Sequence, residues 1–127
     1  MNVNRSAELT RAYIEAVGRH DLATVGELIA DDAVAMFAGE SLTKEAWIRA
    51  LDGLLPILKR NEIRHLSADG DTACVVYDFV TDTPAGAVPC VELVGTRQDR
   101  ISSIELILDQ VAFAPVDEAL RERVPAS

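Results

Sequence analysis

Apolar positions recur every three or four residues along the first sixty residues of the chain, and every second residue beyond that. Leu9, Ala12, Tyr13, Ala16 and Val17 form one helical stripe, with Ser6 placed to cap its start and Gly18 to end it. Asp21 then predicts a cap for a short second helix that turns Leu22, Val25, Leu28 and Ile29 inward. After Asp31 and Asp32, the stretch Ala33 to Phe37 reads as a strand. A third helix from Thr43 aligns Trp47, Ala50, Leu51, Leu54 and Leu58, and Pro56 predicts a kink or an early end.

Four strands are expected downstream, over Ile63 to Ala68, Thr72 to Thr81, Ala87 to Arg97 and Arg100 to Asp109. The turns between them are Asp69-Gly70-Asp71, Asp82 to Gly86 and Gln98-Asp99. Connections this short require antiparallel neighbours. A C-terminal helix is expected over Val116 to Val124. Helices first and a strand meander second give the α+β class. Within Thr72 to Thr81 one face carries Cys74, Val76, Asp78 and Val80, and the other Ala73, Val75, Tyr77 and Phe79. Two largely apolar faces predict two covers: the helices on one side and a second subunit on the other.

The length of 127 residues suits one domain spanning 1–127, and 49% apolar residues supply its core. Asp and Glu number 21 against 12 Lys and Arg, a net charge of -9. That balance excludes the basic footprint needed for nucleic acid or an anionic membrane. Cys74 and Cys90 are too few for a disulfide framework, and no Cys/His cluster suggests zinc. MNVNRSAELTRAY has no apolar signal-peptide core, and no apolar run reaches membrane-spanning length. The expected location is cytoplasmic, with no cofactor and no metal.

Asp78 is the chemical anomaly, a carboxylate in the middle of an otherwise buried strand. A turn centred on Pro84 or Ala85 sets it opposite Cys90 or Glu92, so Asp78 and Glu92 share a face at roughly 5–8 Å. Two carboxylates in one apolar site do not both ionise, and a neutral acid beside an ionised base suits proton transfer. The alternatives are a wet cleft, a salt bridge to an arginine such as Arg64, and a one-residue slip that moves Glu92 to the other face. Tyr13 is either a hydrogen-bond donor to a ligand or a core tyrosine tied to the backbone. Trp47 reads as packing. His20 and His65 read as structural, Asp109 as a pocket edge or a turn, and the two cysteines as small buried hydrophobes.

AYIEAVGRHDLATVGELIADDAVAMFA, residues 12–38, resembles the opening of the SnoaL-like group of the nuclear-transport-factor-2-like superfamily. TDTPAGAVPCVELVGTRQDRISSIELILDQVAFAP, residues 81–115, resembles its strand-turn-strand end. The resemblance implies a cone-shaped domain with three helices on a strongly curved antiparallel sheet, a deep pocket and frequent homodimers. It also implies that Asp78, Glu92, Ile104, Leu106 and Leu108 face the pocket. Ketosteroid isomerases of this superfamily use a helix tyrosine, matched by Tyr13, and a neutral acid, matched by Glu92. Their catalytic base falls at Phe37. Epoxide hydrolases use an Arg-x-Asp strand motif, found here only at the hairpin tip, Arg97-Gln98-Asp99. Polyketide cyclases of the SnoaL type use acidic pocket residues.

Three readings follow. The first is a cofactor-independent isomerase, cyclase or dehydratase for a small apolar carbonyl or hydroxyl compound. Asp78 would be its general base or acid, Glu92 the partner acid and Tyr13 a hydrogen-bond donor, in a pocket lined by Phe37, Trp47, Val76, Val94, Ile104, Leu106 and Leu108. The second is a ligand-binding module without turnover. The third is an interaction domain that pairs as a homodimer through its sheet face.

Overall fold

The computed structural model describes residues 3–123. Helices α1 (Val3–Gly18) and α2 (Leu22–Leu28) are followed by β1 (Ile29–Phe37), β2 (Glu40–Thr43) and α3 (Lys44–Leu54). A single 3-10 turn, Leu55–Ile57, leads into β3 (Leu58–Asp69), β4 (Thr72–Thr81), β5 (Ala87–Arg97) and β6 (Arg100–Leu108). Helix α4 (Gln110–Arg123) follows. The strands form one curved six-stranded sheet in the order β2-β1-β6-β5-β4-β3. The meander β3 to β6 is antiparallel as expected, while β1 joins it in parallel beside β6, which makes the sheet mixed. Irregular register near Arg64 in β3 and between Gly95 and Thr96 in β5 marks bulges, which bend strands and let the sheet curl around the helices.

The concave face of the sheet meets the helices. Leu9, Tyr13, Ile14, Ala16 and Val17 of α1, Val25 of α2, and Trp47 and Leu51 of α3 are buried against Val75, Tyr77 and Phe79 of β4 and Val88, Cys90 and Val94 of β5. Each large apolar side chain buried this way contributes about 1.5–3 kcal/mol. Gly18 ends α1 for a steric reason: a Cβ there would lie 2.8 Å from the Asn61 backbone nitrogen, so only glycine lets the helix end approach β3. The left-handed residue is His20, at φ 65°, and its Nε2 lies 2.8 Å from the Leu58 carbonyl oxygen, a structural contact.

Several sequence expectations are corrected. Ser6 lies inside α1 rather than capping it, and its hydroxyl donates to the Gly70 carbonyl at 2.9 Å, tying the helix to the β3–β4 turn. Asp21 caps α2 as expected, accepting from the Thr24 amide, and Thr43, where the third helix was expected to start, caps α3 by accepting from the Ala46 amide. Leu58 begins β3 instead of extending α3, because Pro56 tightens the chain into the 3-10 turn. Strand β2 is an addition, closed onto β1 by the two-residue turn Ala38-Gly39, with φ 54° and 81°, the left-handed pair that such hairpins require. Helix α4 starts six residues before the expected Val116, because the Asp109 carboxylate accepts from the amides of Val111 and Ala112. The expected end of that helix, Val124, lies outside the described residues.

The largest correction concerns the central hairpin. Strands β4 and β5 are joined by six residues, 81–86, between paired Val80 and Ala87. The Thr81 amide and hydroxyl both donate to the Gly86 carbonyl at 2.8 Å and close this loop. A turn centred on one residue pairs positions of equal parity, whereas an even loop pairs odd with even. Asp78 therefore faces Pro89, and Glu92 faces Val75. Asp78 and Glu92 stand on opposite faces of the sheet.

The convex face carries Cys74, Val76, Asp78 and Val80, all partly covered. Toward β1 and β6 it exposes Val34, Met36, Leu93 and Ile107, each between 38% and 49% accessible. No described helix is long and apolar enough to cross a membrane.

Candidate functional site

Between the concave face of the sheet and helices α1, α3 and α4 lies a cavity of about 180 Å³. Its wall is almost entirely apolar and rich in rings: Phe37, Trp47, Phe79 and Phe113, together with the aliphatic Leu51, Leu106 and Leu108. Phe113 brings α4 across the cavity by packing on Phe79, with ring centroids 6.0 Å apart.

One carboxyl group is buried in that wall. Glu92, on β5, is 2% exposed and receives two phenolic hydrogen bonds. Tyr13 of α1 donates to its Oε1 at 2.9 Å, and Tyr77 of β4 donates to its Oε2 at 2.5 Å. The Trp47 indole N–H of α3 in turn donates to the Tyr13 hydroxyl at 3.1 Å. Three elements converge on one β5 side chain because Tyr77 and Glu92 lie on the same face of adjacent strands, and because the α1 stripe turns Tyr13 down onto them.

Burial is the largest influence on Glu92, Tyr13, Tyr77 and Cys90. It raises the Glu92 carboxyl to about 7, against the opposing pull of the two phenolic donors. Burial, and secondarily the nearby Glu92 charge, push both Tyr13 and Tyr77 well above the ordinary phenol range, so both stay protonated. The Cys90 thiol is pushed up to about 12, first by burial and then by Glu92, which makes it inert as a nucleophile near neutrality. The result is a carboxyl whose charge changes near neutral pH inside an almost entirely apolar cavity.

Two further polar groups reach the cavity. Asn61 of β3 turns its Nδ2 to the Ile14 carbonyl at 3.0 Å, and its buried Oδ1 has no hydrogen-bond partner among the described residues. Asp117 of α4 lies at the more exposed edge. Among the described residues no Lys, Arg or His side chain lines the cavity. Among the described residues no cluster of His, Cys, Asp and Glu comes together as a metal site.

The structure brings together six of the residues singled out from the sequence: Tyr13, Glu92, Phe37, Trp47, Leu106 and Leu108. Val94 and Ile104 are buried on the same sheet face but fall outside the cavity lining. Val76 and Asp78 lie on the convex face, where Arg64 Nε is 3.4 Å from Asp78 Oδ1. The proposed acid pair is therefore absent, and the arginine alternative describes Asp78. Tyr77, Asn61, Phe113 and Asp117 were not anticipated. Correct hairpin parity alone would have placed Tyr77 beside Glu92.

The model of the SnoaL-like domain matches residues 10–104. The chain belongs to the SnoaL-like family. No curated protein matches it in sequence. Among solved structures, this SnoaL-like domain is similar to a candidate ketosteroid isomerase from Kribbella flavida, at 20% identity and a TM-score of 0.75, over 99% of this chain and 94% of that one. A candidate polyketide cyclase from Sinorhizobium meliloti is 22% identical, with a TM-score of 0.70 over 79% of this chain and 94% of its own. A protein of ketosteroid-isomerase-like fold from Catenulispora acidiphila, solved with trimethylamine, is 19% identical with a TM-score of 0.73, over 87% and 92% of the two chains. At these identities the likeness establishes the fold, and function rests on the site.

Proposed function

We propose that this SnoaL-like domain is a small-molecule-binding protein in which Glu92 exchanges a proton with a bound, mostly apolar compound carrying one polar end. The observation that carries this reading is the fully buried carboxyl, raised to about 7 and held by Tyr13 and Tyr77 in an apolar cavity. Below that pH the neutral acid donates to a ligand oxygen; above it the carboxylate accepts a proton. Chemistry of the isomerase, cyclase or dehydratase type on a carbonyl or hydroxyl compound needs such a group, with no metal or organic cofactor. The polyketide cyclase and isomerase names among the structural neighbours agree with that class.

A second reading, binding without turnover, is favoured by a specific observation. Phe37 occupies the position that the family resemblance assigns to a base, and Asp78 is outside the cavity, so Glu92 has no second deeply buried carboxyl to work with. Hydrogen exchange into a simple ketone separates the two. Cyclohexanone is incubated with the protein in D2O, and its α-protons are followed by NMR. Enzyme-like proton transfer gives protein-dependent exchange that Glu92→Gln abolishes. Binding to the cavity without exchange sinks the catalytic reading and leaves the module. The exposed Val34, Met36, Leu93 and Ile107 support pairing of two copies through the convex sheet face, in a cytoplasmic setting.

A further inference from the structure

The donors and acceptors around Glu92 do not balance. Trp47 spends its one N–H on Tyr13, and Tyr13 and Tyr77 spend their hydroxyl protons on the carboxylate. With Glu92 ionised, the cluster thus has no proton left to offer a ligand. Unused lone pairs remain on both Glu92 oxygens and both phenolic oxygens, and the Asn61 Oδ1 on the cavity wall is unpaired as well. A carbonyl ligand would find no donor in this cluster. An alcohol could supply one donor. A primary ammonium supplies three donors and no acceptor.

Charge points the same way. Among the described residues the cavity wall has two acidic side chains, Glu92 and Asp117, and no basic one. The cavity is lined by the aromatic residues Phe37, Trp47, Tyr77, Phe79 and Phe113, a ring type whose faces attract cations. Bringing two charges together in a protein interior usually fails because both must be desolvated. Here the carboxylate is already desolvated by folding, at 2% exposure, so an incoming cation bears only its own dehydration.

We propose that, with Glu92 ionised, the cavity is a receptor for a small hydrophobic amine bound as its cation. The proposal rests on the small-molecule reading above and adds a ligand class to it. The groups facing Glu92 are Tyr13 from α1, Trp47 from α3, Tyr77 from β4, Cys90 from its own strand, and Asp117 at the edge from α4. The two phenols and the thiol are shifted upward and stay neutral across the neutral range, so Glu92 sets the pH response.

Four probes of one shape test it: cyclohexylamine, cyclohexanol, cyclohexanone and cyclohexanecarboxylate, each titrated into 15N-labelled protein and followed by NMR. At pH 8.5 the amine is expected to bind at least about tenfold more tightly than the alcohol or ketone, the ordinary worth of a charge-assisted hydrogen bond. The carboxylate is expected not to bind. Lowering the pH below about 7 weakens the amine by about tenfold for each pH unit, as Glu92 takes up its proton, and leaves the ketone no weaker. Glu92→Gln removes the preference for the amine while retaining ketone binding. Tyr77→Phe, which deletes one donor to the carboxylate, moves the midpoint of the amine's pH response upward.

A ketone or alcohol that matches the amine at pH 8.5 overturns the proposal and leaves the pocket reading intact. Equal amine affinity in wild type and Glu92→Gln also overturns it, since that is loose attraction to a chain of net charge -9. If none of the four probes shifts Trp47, Phe37 or Phe113, the pocket reading falls together with the proposal.

Discussion

Replacing Glu92 with Gln separates the cost of burying its charge from everything else that titrates in the protein. Glu92 ionises at about 7 in the folded chain and at the ordinary 4.5 when unfolded. Between those values the folded state holds a proton that the unfolded state has lost, so stability falls as the pH rises through this window. Below about 4.5 both states are protonated and the charge costs nothing. Above about 7 the full cost is present. At about 1.36 kcal/mol per tenfold, the interval from 4.5 to about 7 amounts to about 3 kcal/mol. The side chain is fully buried, so solvent screening does not reduce this figure. Gln is close in shape to the neutral acid and can still accept from Tyr13. Urea unfolding of wild type and Glu92→Gln at steps from pH 4.5 to 8.5 gives the difference directly, and the other acidic groups cancel. The two proteins should be nearly equal at the acid end. The Gln variant should gain steadily, by up to about 3 kcal/mol, before levelling above pH 7.5. A difference that stays flat across the range, or a variant that is the less stable protein at pH 8, would refute the buried-charge argument.

Gly18→Ala should destabilise by about 1–3 kcal/mol, since its Cβ meets the Asn61 backbone, whereas Gly53→Ala in α3, with open space around it, should be neutral or gain about 0.5–1 kcal/mol; thermal melts compare them. Asp78→Asn breaks a partly exposed pair with Arg64 on the convex face, so it should change stability by about 1 kcal/mol or less and leave ligand affinity untouched, as read by the same NMR titration. Leu93→Asp with Ile107→Asp should convert a dimer to a monomer in light scattering if the convex face pairs two copies; a wild-type monomer at high concentration ends that reading.

Much of the fold was legible because long periodic segments leave little freedom. Three helical stripes and four alternating strands announced themselves by burial pattern, and Asp21 and Thr43 cap where their side chains can reach free amides. What stayed hidden depended on contacts remote in sequence or on parity. Strand β2 is four residues of exposed edge with no apolar alternation, and the parallel pairing of β1 with β6 joins segments some seventy positions apart. Helix α4 begins at Gln110 and accommodates Pro115 within its span, whereas the sequence pattern placed its start at Val116.

The site itself was half legible. Tyr13, Trp47 and Glu92 were identified as separate features, but the assumed partner of Glu92 was Asp78. One residue of loop length decided that error. An even loop exchanged Asp78 for Tyr77 at the cavity face and replaced a second acid with a phenol. Asn61 carried no signal in sequence, since only the bend of β3 against Gly18 sets it beside Ile14.

One buried carboxyl, held by two phenols, changes charge near neutral pH. Its side-chain carboxyl carbon can be followed by NMR from pH 3 to 10 in wild type, with Glu92→Gln for assignment. A midpoint near 7 is expected, moving higher in Tyr77→Phe as a stabilising donor is lost. A midpoint near the ordinary 4.5 in the folded protein would mean that Glu92 is solvated, and the site described here would not exist.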